Sequence, residues 1–329
     1  MSSDQMLRPI SRCLLMSLAF VAAANDTRAQ SAPPNAIRIV VPAGAGSPPD
    51  VVSRIVANEL AEAEGWRVIV ENRPGALETL AMGEVLKQPA DGRALFAMSL
   101  PTIAAPALLP NLGFRVETAF APVIKISSGA NVLVVHPSVP AKSVSELVGI
   151  LNNQPNKFNF SSGPFGTPAH LIGELFKLKT GTRAAHIPYQ TTPQRMVDLL
   201  GGTNQFDFLT AVIALDLVAS GKLRALAVTS PKRIAALKDT PTMAEQGFPD
   251  LVAEDWEGFA VKAGTPNEIV TRLNEAMNRA LAKQKVRAAF ANVGAEPAGG
   301  TPAEFGLLIS SQLEHWGKVI RDSGIKMPQ

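Results

Sequence analysis

The sequence predicts an α/β protein built around a parallel sheet with helices on both faces. Short apolar segments alternate with amphipathic ones, beginning with a strand at 37–41, a helix at 48–64 and a strand at 68–70. A helix at 76–87 and a strand at 94–98 complete a βαβαβ order. This order is typical of a parallel sheet covered on both faces by helices.

The same alternation continues to residue 228, and helices dominate after residue 266. The segment 101–122 is predicted to be irregular because Pro106 and Pro110 interrupt it. Ser143 and Glu146 form a capping-box pattern that predicts a helix start. The further predicted strands are 132–135, 158–160, 184–187 and 223–228, and the further predicted helices are 168–180, 193–200, 266–283, 284–292 and 302–323.

The first thirty residues have the order of a secretory signal peptide. Arg8 and Arg12 precede an apolar stretch at 13–24, and small residues at a cleavage spacing follow. A bilayer crossing needs roughly 20 apolar residues, so the stretch is too short for one. We therefore predict removal of residues 1–29 and export to the periplasm; the alternative is a buried N-terminal helix. Cys13 is the single cysteine and would leave with the signal, so no disulfide is expected in the mature chain.

The charge balance argues against nucleic acid as a partner. The net charge is +3 at pH 7 and no basic run occurs, whereas nucleic-acid sites need clustered cations. Aromatic residues make up 5% of the chain, which leaves little for a stacking platform. The four histidines include no i, i+4 pair, and we predict neither a metal nor a cofactor.

Two glycine-rich loops connect a predicted strand to a predicted helix. The first is 43–50 and the second is 161–167. In such a turn the backbone N–H groups at the helix start point into open space, and the helix dipole favours an anion there. Thr192 and Pro193 give a third helix the same Ser/Thr-Pro start. Asp50 is interpreted as the partner of Ser47 in a capping box.

His170 falls near the start of the helix behind the second loop. It could donate to a ligand oxygen, or it could be a half-buried helix residue. An alternative function is a secreted α/β hydrolase that uses Ser161 or Ser162 with His170. The chain has no Gly-x-Ser-x-Gly elbow and no acid placed to orient the imidazole, which argues against this alternative.

These loops belong to a longer series of segments that resembles one family. The sequence is similar to the periplasmic solute receptors of tripartite tricarboxylate transporters, the TctC-like or Bug proteins. Two of the segments read VENRPGA at 70–76 and GTPAHLIGELF at 166–176. The complete series, in family order, is 41–54, 70–76, 90–92, 131–135, 166–176, 186–189, 221–230, 264–266 and 294–297.

The resemblance implies a type II periplasmic-binding-protein fold, in which two α/β lobes are joined by two hinge crossovers and enclose a ligand cleft. Residues 30–127 and 227–329 would form lobe I, and residues 128–226 would form lobe II. The implied function is non-enzymatic: a monomeric receptor captures a small organic carboxylate and delivers it to membrane transporter subunits. A receptor for an ABC-type transporter, which shares the fold, stays an alternative.

The resemblance also implies which residues contact the ligand. Pro49 stands where the family often has threonine and offers neither an N–H nor a hydroxyl, so the pocket should differ from that of typical members. Ala43 stands where the family usually has an aromatic residue. The implied ligand-binding residues are Ala43, Gly44, Ala45, Gly46, Ser47, Asp50, Ser99, Ser162, Gly163, Gly166, Thr167, His170, Tyr189 and Gln190, with no catalytic residue among them.

Overall fold

One long strand, Phe120–Val135, runs through the middle of the molecule and belongs to both halves of its sheet. The computed structural model describes residues 36–109, 111–325 and 327. The predicted signal peptide at 1–29, with Cys13, lies outside the described residues.

The elements follow the alternation that the sequence predicts, with several additions. Up to the long strand they are β1 (Ala36–Val41), α1 (Pro48–Glu64), β2 (Arg67–Asn72), α2 (Thr79–Leu86), β3 (Ala94–Met98), α3 (Leu100–Leu108), α4 (Val116–Ala119) and β4 (Phe120–Val135). The next group is α5 (Val144–Asn153), β5 (Asn159–Ser162), α6 (Pro168–Thr180), β6 (Ala185–Pro188), α7 (Thr192–Leu200), β7 (Phe206–Thr210), α8 (Ala211–Ala219) and β8 (Arg224–Val228). The last group is β9 (Glu254–Lys262), α9 (Asn267–Ala282), α10 (Gln284–Asn292), β10 (Glu296–Pro297) and α11 (Pro302–Ser323).

The strand order confirms the predicted fold class. It is β2-β1-β3-β9-β4-β7-β5-β6, with β8 and β10 also paired to β4. Strand β1 is parallel to β2 and β3, as predicted, whereas β9 is antiparallel to both of its neighbours. Residues 120–130 of β4 pair with β9, and residues 131–135 pair with β7 and β8. The predicted lobe boundaries at 128 and 227 stay a prediction.

The prediction of an irregular segment at 101–122 is wrong, because α3 and α4 lie within it. Pro101 occupies the first turn of α3, where no backbone N–H is needed, and the backbone N–H of Ser99 donates to Thr102 Oγ1 at 3.4 Å. Strand β4 begins at Phe120 rather than at 132. Strand β9, which contains Trp256, is absent from the predicted strands.

Apolar side chains on both faces of the sheet hold the helices in place. On one face α11, α3 and α6 cover a cluster that includes Phe96, Phe160 and Trp256, and α1 and α9 cover the other face. Full burial of each such side chain stabilises the fold by about 1.5–3 kcal/mol. Among the helices of the described residues, none combines the length and the apolar character that crossing a membrane requires.

Candidate functional site

A cavity of about 260 Å³ lies where the two halves of the sheet meet. Its floor consists of residues 127–130 of β4 and 255–257 of β9, and one wall is the start of α1. The opposite side is formed by residues 210–213, where β7 leads into α8, with Thr192 of α7 beside them. Residues 293–295 complete the lining. The cavity is therefore built from elements on both sides of β4.

Three helices direct their N-terminal ends at this cavity. They are α1 at Ser47 and Pro48, α7 at Thr192, and α8 at Thr210. Ser47 Oγ and Thr210 Oγ1 are buried, and neither has a hydrogen-bond partner among the described residues. The helix ends supply partial positive charge, and the two hydroxyls can donate to a ligand oxygen. This side of the cavity therefore suits an anion.

Within the first predicted loop, Gly46 and Ser47 line the cavity, while Ala43, Gly44, Ala45 and Asp50 lie outside its lining. The Asp50 carboxylate accepts hydrogen bonds from the Gly46 backbone N–H (2.8 Å), from Arg54 Nε (2.9 Å) and from Asn72 Nδ2 (2.9 Å). Burial acts to raise its pKa, but these hydrogen bonds outweigh burial and hold the pKa below its usual value.

Asp50 therefore stabilises the conformation of the loop through these hydrogen bonds. The expected capping box is wrong, because the Ser47 side chain makes no cap hydrogen bond.

The second predicted loop, unlike the first, contributes no residue to the cavity lining. Ser162 Oγ lies 2.6 Å from His186 Nε2, and Thr167 Oγ1 donates to Pro164 O at 2.7 Å. The Gly166 backbone N–H donates to His170 Nδ1 at 3.0 Å, and Gly163 accepts from Ser162 Oγ at 2.6 Å. These groups are hydrogen-bonded within the loop or to the neighbouring β6 and α6, and their predicted contact with a ligand stays a prediction.

The remaining predicted residues are engaged with other protein groups. Tyr189 Oη donates to Asp198 Oδ2 at 2.6 Å and accepts from Asn204 Nδ2 at 2.7 Å. Ser99 Oγ donates to Glu78 Oε1 at 2.6 Å. Ser99, Tyr189 and Gln190 lie outside the lining of the cavity, so the structure brings only Gly46 and Ser47 of the predicted set to it. The binding roles of the others stay predictions.

The serine and histidine side chains are not arranged as the hydrolase alternative requires. Ser161 Oγ donates to Asp207 Oδ2 at 2.5 Å, and Ser162 contacts His186. The Nδ1 atom of His170 accepts the Gly166 N–H. Within the described part of the chain, neither serine hydroxyl is hydrogen-bonded to His170, so no serine–histidine pair of the predicted kind forms.

His170 and His186 stack with ring centroids 4.3 Å apart and planes 20° apart. Burial lowers the pKa of His170 to about 4, with a further contribution from Lys177. Burial also lowers the pKa of His186 to about 3, and the charges of His170, Lys177 and Arg195 add to it. Both rings are therefore neutral at pH 7.

The same two histidines and Glu174 bring potential metal-ligand atoms within 4.8 Å of one another. However, stacked rings do not aim their nitrogen lone pairs at one point, and the Glu174 carboxylate pairs with Lys177 Nζ at 2.7 Å. The arrangement fits packing better than metal coordination.

We expect His170→Gln to change how stability depends on pH. The unfolded chain takes up a proton at His170 near pH 6.5, whereas the folded chain does so only near pH 4, so the wild type loses stability as the pH falls through this window. Relative to the variant, it should lose up to about 1.4 kcal/mol per pH unit. Urea unfolding of both proteins at pH 7, 6, 5 and 4.5 measures the difference. A difference that stays constant over this range would contradict a neutral, buried His170.

Two acidic residues of the cavity floor are absent from the sequence-based site. Asp255 and Glu257 lie on β9, and Glu257 is only 8% exposed. Burial raises the pKa of Asp255 to about 6. Burial, together with the negative charges of Asp255 and Glu78, raises the pKa of Glu257 well above its ordinary value. The polar–apolar–polar order of Asp255, Trp256 and Glu257 is the one strand signal at these acids, and three residues are too few for it to predict β9.

Comparisons with known proteins confirm the resemblance. The family model described as "Tripartite tricarboxylate transporter family receptor" matches residues 52–325. Protein BugT of Bordetella pertussis is 33% identical over 323 residues, which cover 97% of this chain and 99% of that relative.

Solved structures agree with the sequence comparison. One of an R. palustris protein with adipate matches with a TM-score of 0.80 and 31% identity, covering 88% of this chain and 98% of that one. MatC from Rhodopseudomonas palustris with bound malate matches with a TM-score of 0.77 and 27% identity, covering 87% and 98%.

Proposed function

Because the chain belongs to the family of tripartite tricarboxylate transporter receptors, we propose that it captures a small organic acid and presents it to a membrane transporter of that type. The observation that carries the proposal is the cavity at the junction of the sheet halves, with three helix N-termini and two unpartnered hydroxyls around it. Similar proteins have been solved with adipate and with malate, which are both dicarboxylates.

The proposed mechanism is capture without chemical change. The ligand carboxylate lies against the starts of α1 and α8, where Ser47 and Thr210 donate hydrogen bonds to it. These two residues come from opposite sides of the cavity, so one ligand can contact both halves of the sheet. Contacts that exist only when the halves are close favour the closed arrangement, which is how a ligand shifts such an equilibrium.

Calorimetry against adipate, malate, succinate and butyrate tests the ligand class. We expect at least one dicarboxylate to bind with a submillimolar Kd, and the uncharged adipamide to bind far more weakly because it cannot place an anion at the helix starts. Ser47→Ala and Thr210→Ala should each weaken binding about fivefold, the effect of one lost hydrogen bond.

Ser311→Ala removes an exposed hydroxyl that donates to Leu308 O at 2.9 Å and serves as the matched control. It should leave binding unchanged. Failure of every acid in the panel to bind would contradict the proposed function.

The proposal also covers export of the receptor to the periplasm and delivery of the ligand to the transporter. Removal of residues 1–29 would release a monomeric receptor into the periplasm, which N-terminal sequencing of the exported protein checks.

Delivery is tested by uptake of the ligand into cells that contain the transporter membrane subunits, with and without the receptor. Uptake that is independent of the receptor would argue against delivery. Uptake supported by an ABC-type transporter instead would favour the alternative that the sequence left open.

A further inference from the structure

We propose that the floor of the cavity is a subsite for an organic cation, in which Asp255 and Glu257 bind a protonated amine of the ligand. The inference rests on the proposed function, because it assumes that the same ligand carries a carboxylate toward the helix N-termini. The substrate class that follows is a small acid that also carries an amine, which should bind more tightly than the plain diacid of the same length.

The two carboxylates share one face of the sheet. They are alternate residues of β9, and successive side chains of a strand point to opposite faces. In the register with β4, Glu257 is opposite Ser127 and Asp255 is opposite Gly129. Side chains of directly opposed residues also share a face. Because Gly129 has no side chain, the space beside Asp255 stays open; a Cβ at Gly129 would lie 3.8 Å from Asp255 Cβ.

One oxygen of the buried Glu257 carboxyl has no partner among the described residues. More than nine-tenths of it is buried, it lines the cavity, and its Oε2 atom has no hydrogen-bond partner among the described residues. A buried carboxylate is costly unless a donor or a cation accompanies it. The lysine on the adjacent strand, Lys125, pairs with Glu254 at 3.3 Å instead. In the described part of the chain, no salt bridge reaches Asp255 or Glu257, so both carboxyls are available to a cation of the ligand.

A primary ammonium fits this floor. It carries three donors and no acceptor, which matches two carboxylates and the neighbouring Ser127 hydroxyl. The starts of α1 and α8 favour a negative charge, so one side of the cavity suits an anion while its floor suits a cation. A plain diacid would bring a second negative charge against Asp255 and Glu257, so it should bind more weakly than the amino acid of the same length.

Calorimetry with matched ligand pairs tests the subsite in the intact mature protein. Glutamate is compared with glutarate, aspartate with succinate, and 4-aminobutyrate with butyrate. At least one amino acid should bind about tenfold or more tightly than its partner, as expected for a hydrogen-bonded charge pair.

Glu257→Gln should remove most of this preference, and Asp255→Asn should reduce it. Glu254→Gln is the matched control, because Glu254 lies outside the cavity lining and pairs with Lys125. The control should keep the preference.

Proton release provides a second measurement. An ammonium that pairs with Glu257 would ionise this carboxyl, so glutamate binding at pH 7 should release a proton that the Glu257→Gln variant does not release. Titration in two buffers of different ionisation enthalpy measures this. Binding of diacids without any amine preference, or a preference that survives Glu257→Gln, would overturn the subsite and leave the receptor function standing. Absence of binding by every ligand of the series would overturn both.

Discussion

Replacing Asp207 by asparagine should destabilise the protein by about 3–5 kcal/mol, because it leaves a buried arginine without its counter-ion. Asp207 is fully buried and accepts hydrogen bonds from Arg195 Nε at 2.7 Å, from a second guanidinium nitrogen of Arg195, and from Ser161 Oγ at 2.5 Å. Arg195 is itself only 7% exposed, so water cannot take over the role of the carboxylate. Urea unfolding at pH 7 measures the loss.

Two further variants separate the buried pair from charge pairing in general. Glu245→Gln breaks the ion pair between Arg233 and Glu245, whose two side chains are 44% and 46% exposed respectively. This substitution should lower the free energy of unfolding far less. The double variant Arg195→Met with Asp207→Leu removes both charges and should be more stable than Asp207→Asn alone. If Asp207→Asn were no more destabilising than Glu245→Gln, the buried pair would not have the importance that its burial indicates.

Gly173→Ala should also destabilise the protein, although alanine is more favourable than glycine in a helix by about 1 kcal/mol. A Cβ at Gly173 would lie 2.3–2.9 Å from three ring atoms of Phe160. That ring is fully buried and stacks between His186 and Phe206 at centroid distances of 4.8 and 5.7 Å, so it has no room to move. Overpacking of this kind costs about 1–3 kcal/mol, and thermal and urea unfolding measure it.

Gly149→Ala is the matched control for this prediction. Gly149 lies inside α5, it is exposed, and a Cβ there meets no atom within 4 Å. The substitution should stabilise the protein by about 0.5–1 kcal/mol. Phe160→Leu should partly rescue Gly173→Ala by freeing space. Equal effects of the two glycine substitutions would contradict a close approach of α6 to β5.

Local patterns predicted the parts of the fold that local forces determine. The strand–loop–helix turn at Gly46 and Ser47 is one of these, since its glycine, its Ser-Pro start and the flanking apolar runs are adjacent in sequence. The pattern could not show that the Asp50 carboxylate accepts from Arg54 and Asn72 rather than from the backbone N–H of Ser47. Asn72 is distant in sequence and reaches the loop only through the pairing of β1 with β2.

The floor of the cavity depends on contacts between residues far apart in the sequence. Asp255 and Glu257 come to the site because β9 pairs with β4, whose residues precede them by more than a hundred positions. The acidic residues of β9 weaken its strand signal, since a strand in the middle of a sheet is usually apolar. Functional positions commonly break local rules in this way, which is why the strand and its two carboxylates escaped prediction together.

The continuity of β4 has a consequence for ligand selection. Residues 127–130 both line the cavity and lie next to the point where the strand passes from one half of the sheet to the other. In the closure proposed above, atoms near the rotation axis would move least, so residues 127–130 would keep nearly the same distance to the ligand in the open and closed arrangements. If the halves rotate about β4 as proposed, side chains at 127–130 would act on the ligand when it first binds, while groups far from β4 would determine how slowly it dissociates.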